Sequence, residues 1–336
     1  QLLLHYSLPL VLLFKYKGGI TMKITIAGAG AMGSRFGLML HQAGHEVLLV
    51  DGWKDHVDAI QKEGLKANYN GEEVVVKLPA VLQSEVTEEM TSDLIILFTK
   101  AMQLESMLTD LKPVIHDETR VLCLLNGIGH EEVIEQFVPK EDIFIGNTMW
   151  TAGMEGPGRV KLFGSGTVAL KNLVDTPEAK ANAEEIVEVL NSGGLNASYS
   201  ENILFAIYKK ACVNGTMNGL CTILMSNMYE FGSTTTAHLI VENIVKEFSE
   251  VAKNENILLN VSEIVDFIET NCYNRETIGL HHPSMYQDLN ENNRLTEIDY
   301  INGAVVRKGQ KYGVPTPYCE FLTALVHCKE QILGAK

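Results

Sequence analysis

Met22-Lys23-Ile24-Thr25-Ile26-Ala27-Gly28-Ala29-Gly30-Ala31-Met32-Gly33 runs a short β-branched, apolar stretch straight into glycines at positions one, three and six. A strand ending in Gly-x-Gly-x-x-Gly supplies a tight turn at Gly28, a side-chain-free approach at Gly30 and close helix-to-sheet packing at Gly33. A pyrophosphate would then meet backbone N–H groups at the positive end of the helix, over Ala31 and Met32. Glycine-rich loops also serve as plain turns, so the flanks decide. A helical pattern continues from Ser34 to Ala43 and stops at Gly44. Glu46-Val47-Leu48-Leu49-Val50-Asp51 then reads as a second strand. It ends in an acid roughly twenty residues past the glycines, where a carboxylate accepts from ribose hydroxyls. The unit reads as a βαβ dinucleotide site.

The whole chain sets wide bounds on the rest. Its 336 residues suit two domains, and 46% hydrophobic content provides for a large core. A net charge of −15 argues against nucleic acid or an anionic membrane as the main partner. Cys123, Cys212, Cys221, Cys272, Cys319 and Cys328 show no C-x-x-C spacing, so reduced cytoplasmic thiols fit better than a disulfide framework or a zinc site.

Gln1 to Thr21 stand apart. Leu2-Leu3-Leu4 and Leu10 to Phe14 look like a signal-peptide core, but His5 and Pro9 interrupt it, and neither a basic region nor a small-x-small cleavage site flanks it. The stretch is also short and broken for a membrane span. Lys17-Gly18-Gly19-Ile20-Thr21-Met22 can be encoded by AAA-GGA-GG, a ribosome-binding site ahead of a start codon. The expectation is a bacterial gene whose native product begins at Met22, with 1–21 as translated upstream sequence.

In chain order, a short helix capped around Asp55 follows the second strand, and Glu73 to Leu78 alternates as an edge strand near the first unit. Asp93 to Phe98 and Val121 to Leu125 are buried parallel strands, ending at Thr99-Lys100 and at Asn126-Gly127. Ligands of an open α/β sheet lie beyond the carboxyl ends of its strands, so Gly28, Asp51, Lys100 and Asn126 are expected around one crevice. Ile143 to Gly146 is a further strand. Arg159 to Phe163 could pair with Gly166 to Leu170 as a hairpin closing the sheet, and Pro157-Gly158 is turn chemistry. An amphipathic helix over Glu178 to Leu190 breaks at Gly193-Gly194, and helical periodicity dominates from Asn202 onward. The fold expected is an α/β N-terminal Rossmann domain over 22–196 plus an all-α C-terminal domain over 197–336.

Two stretches of the helical half carry unusual polar residues. Lys210, Asn214 and Asn218 fall within roughly 80° of one another on a helix, a stripe of one ammonium and two carboxamides able to polarise a carbonyl and orient its substituents. A solvated polar face would have the same spacing. The second stretch joins Ser284-Met285-Tyr286-Gln287-Asp288 to Glu297-Ile298-Asp299-Tyr300-Ile301-Asn302-Gly303 and Gly313-Val314-Pro315-Thr316-Pro317. Locally, Ser284 and Asp288 could cap turns, and Glu297 could be an acid at a helix start.

Taken together, from Met22 almost to the C-terminus, these motifs resemble the ketopantoate reductase family (2-dehydropantoate 2-reductases). The resemblance implies a Rossmann domain and a helical domain with substrate in the cleft between them. It implies that Lys210 is the lysine that protonates the C2 oxygen as hydride arrives from the nicotinamide, and that Glu297 is the acid that binds the substrate hydroxyl and helps hold the lysine. It places Asn214, Asn218 and Ser284 on the substrate, Asn126 near both nicotinamide and substrate, and Lys100 on the cofactor side. Hydride addition builds negative charge on the carbonyl oxygen, which a nearby ammonium stabilises and protonates.

Two departures from the family pattern refine this. Many members place an arginine after the second strand for the 2′-phosphate of NADP, whereas Val50-Asp51-Gly52-Trp53 offers a carboxylate, which favours NAD; Lys54 or Lys100 could still admit NADP. His281-His282-Pro283 stands before Ser284 where the family commonly has a substrate-contacting asparagine. The histidine pair has no spaced third ligand, so no metal site is expected. The resemblance extends to NAD-dependent D-2-hydroxyacid dehydrogenases acting on bulky or branched 2-oxo acids, phenylglyoxylate and D-mandelate among them. The reading is therefore an NAD-dependent (R)-2-hydroxyacid dehydrogenase, with NADPH-dependent ketopantoate reduction second. A 6-phosphogluconate or β-hydroxyacid dehydrogenase would lack the Glu297–Gly303 segment, and a non-catalytic NAD-binding redox sensor would need none of Lys210, Asn214 and Glu297. Apolar helices in the second domain are compatible with a homodimer.

Overall fold

The structure, a computed structural model, describes residues 21–69 and 71–336. The expectation for the leader therefore lies, Thr21 aside, outside the described residues.

The first half alternates strands and helices: β1 (Lys23–Ala27), α1 (Ala31–Gln42), β2 (Glu46–Asp51), α2 (Lys54–Glu63), β3 (Leu65–Tyr69), β4 (Glu72–Val76), β5 (Ala80–Leu82), β6 (Leu94–Leu97), α3 (Leu104–Asp110), β7 (Arg120–Cys123) and α4 (Glu131–Ile134). β8 (Ile143–Thr148), β9 (Thr151–Gly156), β10 (Arg159–Phe163), β11 (Val168–Asn172), α5 (Pro177–Ser192) and β12 (Ala197–Tyr199) follow. Among the described residues the main sheet runs β12-β11-β8-β7-β6-β1-β2-β5, parallel throughout except where β11 meets β8. Its central strand β6, Leu94-Ile95-Ile96-Leu97, is apolar at every position because both faces are covered. Leu94 and Ile96 of β6 join the core under α1 and α5, while Ile95 and Leu97 join the core under α3, as the two-residue period of a strand requires.

Three local expectations need correction. β10 and β11 do not form a hairpin: Pro157-Gly158, with Gly158 at φ +68°, joins β9 directly to β10. β10 thus has β9 on one side and β3 on the other, in a second sheet ordered β4-β3-β10-β9, and β11 is left to pair with β8. The 73–78 stretch is indeed an edge strand, but of this smaller sheet, because it pairs with β3, a strand the sequence reading did not find. Asp55 does not cap α2; Trp53 holds the cap position, and the Asp51 carboxylate accepts from its N–H at 2.8 Å.

The chain leaves the sheet at Tyr199 and turns helical: α6 (Ile203–Leu224), α7 (Met228–Gly232), α8 (Ala237–Lys253), α9 (Val261–Phe267), α10 (Ser284–Tyr286), α11 (Asn302–Tyr312) and α12 (Pro317–Leu333). α6 runs through the middle. A Cβ at Gly215 would lie 2.7 Å from the Phe248 ring of α8, and one at Gly219 3.0 Å from Leu322 of α12, so the glycines let both helices close on α6. Among the described residues no helix is long and apolar enough to cross a membrane, and no group of three or more His, Cys, Asp or Glu side chains is placed to hold a metal.

Candidate active site

A cavity of about 950 Å³ opens at the carboxyl ends of β1, β2, β6 and β7 and is closed from the other side by Ile207 and Lys210 of α6 and by Glu297. Gly28, Gly30, Ala31, Met32, Gly33, Asp51, Lys100 and Asn126 all line it, so the crevice expected at the carboxyl ends of the strands is present.

The glycine loop has the form a dinucleotide needs. Gly28 sits at φ +97°, and a Cβ there would come within 2.5 Å of the Thr99 backbone nitrogen. A Cβ at Gly33 would lie 1.9 Å from the Gly28 carbonyl oxygen, so only glycine lets α1 pack this close to its own loop. A Cβ at Gly30 would meet nothing within 4 Å, which leaves the backbone open to an approaching group. No side chain caps the start of α1 and no acid occupies its first turn, so its N–H groups remain available to an anion. These residues fit a nicotinamide dinucleotide.

Asp51 ends β2 and is tied twice to backbone. Its Oδ2 accepts from the Ala29 N–H at 2.7 Å and its Oδ1 from Trp53 at 2.8 Å. A carboxylate has about four acceptor positions, so both oxygens keep capacity for hydroxyls. Behind the loop, His56 donates from Nε2 to the Ala29 carbonyl at 2.8 Å and accepts the Gly158 N–H on Nδ1 at 2.9 Å, which defines a neutral ring. Burial pushes its pKa down, consistent with that state. Lys54 is exposed and paired with Asp58 at 2.6 Å.

The opposite end of the cavity gathers the titratable groups. Lys210 Nζ donates to Asn126 Oδ1 at 2.8 Å, joining the helical half to the end of β7. Desolvation lowers the Lys210 pKa, and the charge of Glu297 partly opposes it. Desolvation raises the Glu297 pKa against the pull of Lys100 and of the Ala101 backbone N–H. Lys100 Nζ lies 3.8 Å from Asp288, which also holds Arg294 at 3.0 Å. Lys100 thus faces the acids of the helical half. An ammonium and a carboxyl with pKa values drawn toward each other make a pair suited to moving one proton.

Asn214, Asn218 and Ser284 are not among the lining residues. The first two share the stripe of Lys210, but α6 runs away from the crevice into the helical core, at 1.5 Å per residue, and Asn218 is buried there. Ser284 is exposed at the first residue of α10. Conversely, Asn147, Thr148 and Trp150 line the cavity although the sequence reading did not single them out. The rule that located Lys100 and Asn126 would have found them, since β8 is the next parallel strand. Trp150 is held on two sides, donating from Nε1 to the Leu195 carbonyl at 2.7 Å and lying 4.2 Å under the buried Arg35 guanidinium.

Comparison with known proteins points to one family. Residues 24–174 match the family model described as ketopantoate reductase PanE/ApbA, and 202–330 match its C-terminal counterpart. The 2-dehydropantoate 2-reductase of Lactococcus lactis subsp. lactis (strain IL1403) is 64% identical over 94% of this chain and all of its own length. That of Streptococcus pyogenes serotype M3 (strain ATCC BAA-595 / MGAS315) is 46% identical over 93% of this chain and 99% of its own. A solved ternary structure of D-mandelate dehydrogenase with NADH and anilino(oxo)acetate superimposes with a TM-score of 0.82, at 65% identity, over 94% of this chain and all of its own. The chain belongs to the ketopantoate reductase family of NAD(P)-dependent oxidoreductases.

Proposed function

We propose that this protein is a D-2-hydroxyacid dehydrogenase that uses NADH to reduce a bulky or branched 2-oxo acid to the (R)-2-hydroxy acid. The observation that carries the reading is the Asp51 carboxylate in the cavity wall, held there by the Ala29 and Trp53 N–H groups. A fixed negative charge at the end of β2 accepts from a ribose diol and repels a 2′-phosphate. The two lysines that could offset it are engaged elsewhere, Lys54 with Asp58 and Lys100 toward Asp288. The likeness to a D-mandelate dehydrogenase solved with NADH supports the same reading.

The nicotinamide supplies the hydride. Lys210 protonates the oxygen on which charge develops, and the Asn126 carboxamide aims its ammonium. Glu297 sustains the charge on Lys210 and can accept from the hydroxyl of the (R)-2-hydroxy acid product. Asn214 and Ser284, outside the cavity wall, would reach the substrate in a narrower cleft, and Asn218, buried one turn further along α6, would support Asn214 from behind. Trp150, Phe98 and Ile207 offer the apolar wall that a bulky substituent needs. A second reading, NADPH-dependent reduction of 2-dehydropantoate, is favoured by the names of the curated relatives.

Initial rates with NADH and NADPH, each against 2-dehydropantoate, 2-oxoisovalerate and phenylglyoxylate, separate the two. The proposal expects NADH to exceed NADPH by about tenfold or more in kcat/KM, some 1.4 kcal/mol of discrimination, with the latter two acids as the better substrates. NADPH with 2-dehydropantoate as the best pair would replace it with the second reading.

A further inference from the structure

Beside the main cavity lies a second, smaller pocket of about 70 Å³, which shares Leu125, Gly127 and Ile207 with its wall. His130 lines it, and the side chain is only 4% exposed. Its Nε2 stands 2.7 Å from the backbone carbonyl oxygen of Asn126. A carbonyl only accepts, so Nε2 carries the proton. Burial lowers the pKa of the ring, which leaves it neutral and Nδ1 a bare acceptor. Nδ1 is buried with no hydrogen-bond partner. A residue selected for packing alone would be apolar here, because an unsatisfied buried nitrogen costs free energy.

The ring also has a second attachment. It stacks on Tyr300 with centroids 4.7 Å apart and planes 17° from parallel. The Tyr300 carbonyl accepts the Ile128 N–H at 2.8 Å, and a Cβ at Gly127 would fall 2.3 Å from that same oxygen. The Tyr300 N–H in turn donates to the Glu297 carbonyl at 3.0 Å. His130 therefore binds, on its edge, the loop that carries Asn126 and, on its face, the turn that begins with Glu297.

We propose that His130 is a positioning residue for the reduction, its Nε2–H and ring face together setting the Asn126 carboxamide and Glu297 about the Lys210 ammonium. The assignment rests on Lys210 being the proton donor of the proposed function.

The test compares His130→Leu, which removes the donor, with His130→Gln, whose terminal amide restores one near the same place. Each is made in the wild type and in Asn126→Ala, using the coenzyme and 2-oxo acid that the wild type turns over fastest. A misplaced catalytic group costs about a hundredfold in rate. His130→Leu is expected to lower kcat by about ten- to a hundredfold with the dissociation constant for the coenzyme within about twofold of wild type, and His130→Gln to recover most of the loss. In Asn126→Ala, His130→Leu should cost clearly less than it does in the wild type, because the arm that acts through Asn126 is already lost and only the arm through Tyr300 and Glu297 remains. Full additivity, an unchanged kcat in His130→Leu, or loss of coenzyme binding in both His130 variants would each overturn the proposal, the last by assigning His130 to the fold alone. Lys210→Ala alongside separates the two claims. Near-normal turnover there removes the role of Lys210 and that of His130 with it, whereas abolished turnover there with normal His130→Leu overturns only the role of His130.

Discussion

Lys210 has its pKa lowered by desolvation, and the Glu297 charge restrains the drop. With the ammonium as the proposed proton donor, the rate of reduction should fall as pH rises through that pKa, and oxidation of the hydroxy acid should rise through the same transition. The alkaline limb is expected below the ordinary lysine value of about 10.4. Replacing Glu297 by Gln removes the charge that raises the Lys210 pKa, so the limb should move to still lower pH. Rate profiles in both directions for the wild type and Glu297→Gln check this, and a limb that stays in place would separate Glu297 from the lysine. Lys210 and Glu297 could be singled out from sequence, as could Asn126. That Lys210 would hydrogen-bond Asn126, 84 positions away, could not, because it depends on how α6 lies across the end of β7.

At the scale of the element, the loop from β1 to α1 is the part most completely legible in sequence. Gly28 and Gly33 each meet a steric demand of the fold, and Gly30 between them leaves the backbone open, all within six residues. Gly33→Ala would force its methyl against the Gly28 carbonyl and push α1 off the loop. The expected cost is about 1–3 kcal/mol in a denaturant titration, as for other overpacked sites, with loss of coenzyme affinity from the displaced N–H groups. An unchanged unfolding midpoint and unchanged affinity would show that the close approach is dispensable. The strands that went to the smaller sheet were less legible. β10 alternates in burial as a half-buried strand should, but alternation does not name the neighbour, and β3 and β9 lie far from each other in the chain.

On the scale of the whole molecule, the halves are tied by a buried charge cluster beyond the active site. Lys308 of α11, with its side chain 3% exposed, meets Glu255 at 2.7 Å and Glu131 of α4 at 2.9 Å. Tyr208 and Tyr312 donate to Glu255. Desolvation would raise the Glu255 pKa, but Lys308 and the two hydroxyls overcome it and hold it low. A depressed carboxyl pKa contributes stability that is complete above the unfolded value of about 4.3 and is lost as pH falls through the folded value. Lys308→Met should destabilise by about 3–5 kcal/mol at neutral pH, because it strands buried carboxylates, and should lose less further stability on acidification than the wild type. Denaturant midpoints measured at neutral and mildly acidic pH test both parts. A variant as stable as the wild type at neutral pH would mean that the cluster is neutral in sum.

The sequence by itself determined what depends on spacing along the chain. The period of two in the strands, the period of 3.6 in the helices, the three glycines and the acid at the end of β2 are patterns legible from their spacing alone. The carboxyl ends of the strands followed from the same logic, and with them the crevice shared by Gly28, Asp51, Lys100 and Asn126. Tertiary structure alone decided which sheet β10 joined, that Lys100 faces Asp288, that Asn218 is buried in the helical core, and that His130 reaches back to Asn126 and across to Tyr300. Each of these depends on the angle at which separate elements cross, and that angle is set by the packing of side chains distant in sequence rather than by any one stretch.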